Sequence, residues 1–110
     1  MPYIKAPLRQ KIDPLIDQLA SGIIAQVQQG EDPGAFAGAL NYACTRLALQ
    51  IVRRQCGQMR YWLIAMLTGV FKNISDEFYR RLAAPYEDKQ MARSGDVDLF
   101  QEYLEEIEKM

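Results

Sequence analysis

A chain of 110 residues with 49% hydrophobic and 25% charged side chains holds enough apolar material for one folded domain, which would bury roughly two-thirds of its unfolded surface. Thirteen basic and fourteen acidic groups nearly cancel, whereas nucleic-acid binders ordinarily carry a basic excess or a basic face. Histidine is absent, which removes Ser-His and Cys-His nucleophiles, His-Asp dyads and nearly all catalytic zinc sites.

Met1-Pro2-Tyr3 opens without the basic stretch and apolar core of a signal peptide, and a cytoplasmic protein is expected. Asp13-Pro14 reads as a helix start, with aspartate able to accept from free amides and proline pre-set for the first turn. From there Leu15, Ile16, Leu19, Ile23 and Val27 recur at three- and four-residue spacing, predicting a first helix over 14–29. Gly30 and the Asp32-Pro33-Gly34 turn end it.

A second helix is predicted from Gly34 or Ala35 to Gln55, with Phe36, Leu40, Cys44, Leu47 and Ile51 as its apolar stripe and Cys56-Gly57 as its stop. The third runs from Gln58 to Ala84 and stops or kinks at Pro85. Its segment Tyr61 to Phe71 is apolar on nearly every side, the mark of a helix covered all round, and it is about half the length needed to span a membrane. Such a helix would measure about 40 Å, against a diameter of about 34 Å for a compact domain of this size. Either it bends, with Gly69 the place, or one end projects and needs a partner surface, which points to a homodimer. A short helix over Pro85–Ser94, capped by Gly95, precedes a last one from Asp96–Asp98 onward. That last helix sets Leu99, Phe100, Tyr103, Leu104 and Ile107 against an acidic face of Glu102, Glu105, Glu106 and Glu108. No strand-like alternation appears. The fold class is all-α, a compact bundle of four to five helices with a long central third helix, in one domain over residues 1–110.

Cys44 and Cys56 are too few for a four-thiolate site and match no redox motif. They read as small buried hydrophobes, with a disulfide only if the fold brings them together. Two patches combine polar types that helices rarely need. In the second helix, Asn41 and Thr45 share one edge and Tyr42 and Arg46 the next, which makes either a polar binding wall or an interhelical hydrogen bond that fixes packing register. Around Pro85, Asp76 before Arg80 and Glu77 before Arg81 are favourable acid-before-base pairs, and Glu87 and Asp88 complement the dipole of a new helix. That is what a solvated, capped corner looks like. If the corner folded back instead, Asp76, Glu77, Glu87, Asp88 and Asp96 could gather around magnesium, with Arg80, Arg81 or Lys89 holding a phosphate. Helical nucleotide pyrophosphohydrolases build sites of this kind from Glu-Glu-x-x-Glu followed by Glu-x-x-Asp, and neither motif is intact in this chain.

The segment Gly38-Ala-Leu-Asn41-Tyr42-Ala-Cys-Thr45-Arg46-Leu47 resembles a G-x-L-N-Y-x-x-T-R-L signature. Tyr79-Arg80-Arg81-Leu-Ala-Ala-Pro85-Tyr86-Glu87-Asp88-Lys89, followed by Gly95-Asp96-Val97, resembles Y-R-R-x-x-A-P-Y-E-D-x-K with a later N-G-D-V. Both signatures belong to a family of small proteins without an assigned activity, scattered through phage-derived and microbial genomes. The opening Lys11-Ile12-Asp13-Pro14-Leu15-Ile16 fits its usual start, and the likeness extends to about Val97. This chain departs in carrying Arg93-Ser94 before the Gly-Asp turn and in continuing into the acidic last helix. The resemblance implies no activity, but it singles out the same residues. The leading expectation is a non-enzymatic interaction protein of phage or mobile-element origin. Its binding residues would be Asn41, Tyr42, Arg46, Arg80, Arg81, Tyr86, Glu87, Asp88, Lys89 and Asp96, with no cofactor and no membrane contact. The alternative is a magnesium-dependent nucleotide or phosphate-ester hydrolase that uses the carboxylate corner. DNA binding through Arg53-Arg54 and Arg80-Arg81 is disfavoured by the balanced charge.

Overall fold

The computed structural model describes residues 3–27 and 32–110, and all regular structure among them is helical. The elements are α1 (Ala6–Val27), α2 (Phe36–Cys56), α3 (Tyr61–Phe78), a π-helical turn (Tyr79–Ala83), α4 (Ala84–Ser94) and α5 (Asp98–Glu108). They fall into two units, Met1–Met59 and Arg60–Met110.

In the first unit α1 packs against α2. α1 starts at Ala6, eight residues before the expected Pro14, and Pro14 lies inside it. The working start signal is Pro7, which needs no amide donor in the first turn. The Lys5 carbonyl accepts from the amides of Leu8 and Arg9, and the Arg9 Nη1 donates to the Ile4 carbonyl at 2.8 Å. The expected end of this helix at residues 28–30 lies outside the described residues. Asp32 makes the turn into α2: its Oδ1 accepts from the Gly34 amide at 2.9 Å and its carbonyl from the Ala35 amide at 3.1 Å. α2 ends where the sequence indicates. Gly57 takes φ 77°, and its amide donates to the carbonyls of Val52 and Arg53.

In the second unit Arg60 is extended, and its carbonyl accepts from the amides of Leu63 and Ile64 to start α3. Of the stop or kink expected at Pro85, the stop does not occur; helical backbone continues from 61 to 94. Proline in a regular helix removes one hydrogen bond and drives its ring into the carbonyl four residues back. Here the backbone widens by one residue over Tyr79–Ala83, the Ala84 amide donates to the carbonyl of Tyr79, and the ring is accommodated. Gly69, the place expected for a bend, lies within unbroken α3, and the departure from α geometry comes ten residues later, just before Pro85. Gly95 ends α4 at φ 87°, with its amide on the Met91 carbonyl at 2.9 Å.

Burial is the large departure from expectation. Among the described residues only Val52, 5% exposed, and Leu63, 1% exposed, are buried. The apolar sides of Tyr61–Phe71 are open: Tyr61 is 84% exposed and Trp62 56%, with Ile64, Met66, Val70 and Phe71 in the same class. Among the described residues, the covering expected for a central helix is not supplied within the unit that holds α3. Cys44 and Cys56, expected to be buried, are free and exposed. Polarity alone predicts that these side chains seek cover, but it cannot say from which molecule the cover comes.

Candidate functional site

The residues singled out from the sequence fall into two patches, one in each unit. In the first unit, successive turns of α2 bring Tyr42, Arg46, Leu49 and Arg53 onto one face at spacings of four, three and four residues. With Thr45 and Met59 they line a groove of about 400 Å³. The Thr45 hydroxyl donates to the Asn41 carbonyl at 2.8 Å, so this pair closes within one helix and is not an interhelical bond. Thr45 lines the groove, and Asn41 lies beside it. At the far end the Arg53 Nη1 donates to the Gly57 carbonyl at 2.8 Å, tying the guanidinium to the cap of α2. Two arginines border this groove, and no acidic side chain lines it among the described residues. Tyr42 also lines a second, more apolar groove of about 540 Å³ between α1 and α2, opposite Leu15, Leu19 and Ile23. Leu49 and Met59 were not singled out from the sequence, and Arg53 was named only in the disfavoured DNA-binding pair Arg53-Arg54. The stripe running on from Tyr42 and Arg46 by three and four residues was the signal that could have placed Leu49 and Arg53 in this groove.

In the second unit the π turn organises the corner. Glu77 is held by the Arg80 Nη2, at 3.1 and 3.0 Å from its two carboxyl oxygens, with the Arg81 Nη1 at 3.9 Å. Asp76 pairs backwards with Lys72 at 3.4 Å. The Tyr79 hydroxyl donates to the Glu87 Oε2 at 3.1 Å across the turn. Asp96 accepts from the Val97 amide at 2.7 Å, while Tyr86, Asp88 and Lys89 are exposed. Four of the five carboxylates expected to surround magnesium thus have separate partners, and Asp88 is exposed. Among the described residues no three acidic or thiol groups gather as a metal site requires.

The electrostatics follow from these bonds. The Arg80 hydrogen bond holds the Glu77 carboxyl below its ordinary 4.5; desolvation opposes it, and the charges of Arg80 and Arg81 add to the lowering. The bond to Glu87, and then the Glu87 charge, raise the Tyr79 phenol above its ordinary 10.0. A carboxylate with a lowered folded pKa contributes stability above its unfolded value and loses it as pH falls through the folded one. The corner should therefore loosen as pH drops below 4.5, and Glu77→Gln should flatten that part of a pH-dependent thermal melt. An acid limb unchanged in the variant would show that the Glu77 bonds do not persist in solution. The expected size is small, because the pair faces water.

Fold and site together define a small all-helical protein with exposed amphipathic helices and a charged π-turn corner. Residues 1–97 match the model of the domain of unknown function DUF6899, and the chain belongs to that family. No curated protein and no solved structure matches the chain. Helix α5 begins one residue beyond the family segment. Among the described residues no helix is long and apolar enough to cross a membrane.

Proposed function

We propose that this chain is a non-enzymatic interaction protein of phage or mobile-element origin, acting in the cytoplasm as a homodimer. The observation that carries the reading is the burial of only Val52 and Leu63 among the described residues, while large apolar side chains on every helix stand open to solvent. Soluble monomers rarely leave such surfaces uncovered, and contiguous apolar faces rimmed by charge mark protein interfaces. A second copy would cover the faces of α3, make that helix the central element and close the pair into a compact bundle. The Asn41, Tyr42 and Arg46 face and the corner from Arg80 to Asp96 would then form its recognition surfaces. The magnesium-dependent hydrolase receives less support, since Asp76, Glu77 and Glu87 each point to a different partner.

Light scattering on the full chain tests the reading directly. The expected mass is twice the 12.6 kDa of one chain at micromolar concentration. On dilution Trp62 emission should shift to the red as the pair separates. A 12.6 kDa particle at every concentration reached would remove the homodimer from the proposal.

A further inference from the structure

We infer that the Arg46/Arg53 groove takes an acidic helical segment of a partner protein, anchored by an apolar side chain. The inference rests on reading the Tyr42 and Arg46 face as a recognition surface, and it names the chemistry of the partner. Charge selects the occupant. The sequence from Pro33 to Ser75 holds no acidic residue, although the chain has fourteen. α2 therefore presents Arg46, Arg53 and Arg54 with no carboxylate of its own to neutralise them. Among the described residues none of the three is in an ion pair, unlike Arg80 and Arg81, which share Glu77. Arg46 and Arg53 line the groove, and Arg54 does not.

Spacing narrows the class further. Arg46 and Arg53 are two turns apart, about 10 Å along the axis and within about 20° of each other around it. Leu49 lies between them, Val52 closes the floor at 5% exposure, and Met59 completes the apolar side. The Arg53 Nη1 bond to the Gly57 carbonyl at 2.8 Å fixes that guanidinium and leaves its other N–H groups to donate. A partner helix with carboxylates seven residues apart repeats the spacing of about 10 Å on one face. A leucine three or four residues after the first carboxylate then faces Leu49 and Met59. An extended segment fits less well, since its same-face side chains recur at about 7 and about 14 Å. A phosphodiester strand brings the charge but nothing for the apolar side, and two arginines neutralise few phosphates.

Fluorescence anisotropy with two synthetic peptides of one composition tests the inference. In the first, glutamates stand seven residues apart with leucines three and four residues after the leading one; in the second the same residues are scrambled. The first should bind the full chain saturably, and the scrambled peptide on the order of tenfold more weakly. Arg46→Glu combined with Arg53→Glu should weaken the first peptide by about tenfold or more. Arg54→Glu, which changes the charge of the same helix outside the groove, should stay within about twofold of wild type. All three arginines are exposed, so helicity by circular dichroism should be unchanged in each variant. On the wild type, amide shifts induced by the first peptide should fall on residues 42–59. No binding, equal binding of both peptides, or an Arg54→Glu loss as large as that of the groove pair would overturn the inference. So would a single-stranded oligonucleotide that takes the groove more tightly than the peptide. Scrambled peptide bound at residues 42–59 would remove the spacing and leave the face standing, whereas shifts confined to the second unit would remove both. Light scattering on the same samples keeps the homodimer separate: a dimer that ignores the peptide loses this inference alone.

Discussion

Replacing Leu63 with alanine should destabilise the chain by about 2–5 kcal/mol, the range for emptying an enclosed leucine site. Leu63 is 1% exposed and sits in the first turn of α3, where its amide bonds the Arg60 carbonyl. Truncating an enclosed side chain removes its dispersion contacts wherever the surroundings do not close onto the gap. Its neighbours make a sharp control. Trp62 and Ile64 are 56% and 51% exposed, so truncating either removes little that one chain buries. If a second copy covers them, their cost appears only as a loss of dimer, and it grows as protein concentration falls. Urea unfolding at two concentrations separates the cases. The Leu63→Ala loss should be the same at both, whereas Ile64→Ala should cost more in the dilute sample. A Leu63→Ala midpoint equal to wild type would mean that this side chain is not enclosed in solution.

How far the residues could be read in advance depended on whether a local rule decided the outcome. Cys56-Gly57 and Ser94-Gly95 mark helix ends because positive φ is nearly a glycine property, and both glycines take it. Proline is less decisive. Pro7 and Pro14 both fit a first turn, and α1 starts with the earlier of them in its first turn and Pro14 inside the helix. Pro85 fits a stop only if the backbone has no other way to clear its ring, and a single π turn is such a way. The all-helical class followed from three- and four-residue periodicity, a property of each segment alone. Coverage of Tyr61–Phe71 is different, because an apolar segment states a demand for burial without naming its source.

The site was legible in parts for the same reason. Glu77 and Arg81 pair as their spacing suggests, and Thr45 bonds back to Asn41. The Tyr79–Glu87 bond could not be foreseen, since eight residues in a regular helix end about 80° apart on the cylinder. Only the extra residue held in the π turn turns them towards one another.

That geometry makes Pro85→Ala the second substitution with a large expected effect. Alanine restores the amide that proline lacks and removes the ring, so the regular i→i−4 ladder becomes the better path through residues 79–86. A proline in a helix interior costs about 3 kcal/mol relative to alanine, part of which the π turn already offsets, so the variant should melt higher as an isolated segment. Closing the π turn rotates α4 by about 100° relative to α3. Tyr86, Glu87, Asp88 and Lys89 then leave the face they share with Tyr79, and the Tyr79–Glu87 bond at 3.1 Å is lost. The sign at the phenol is set by that bond. With it, Tyr79 titrates above 10.0, and the neutral hydroxyl contributes stability that persists below 10.0 and is lost as pH rises through the folded pKa. In Pro85→Ala the phenolate absorbance of Tyr79 should return towards 10.0, and Glu87→Gln should do the same without moving the helix. If the corner from Arg80 to Asp96 is a recognition surface, Pro85→Ala should lose partner binding despite its gain in helix stability, because its residues face another way. An unchanged Tyr79 titration in Pro85→Ala would mean that the π turn survives without its proline, and that the residues from Tyr79 to Ala83 hold it open themselves.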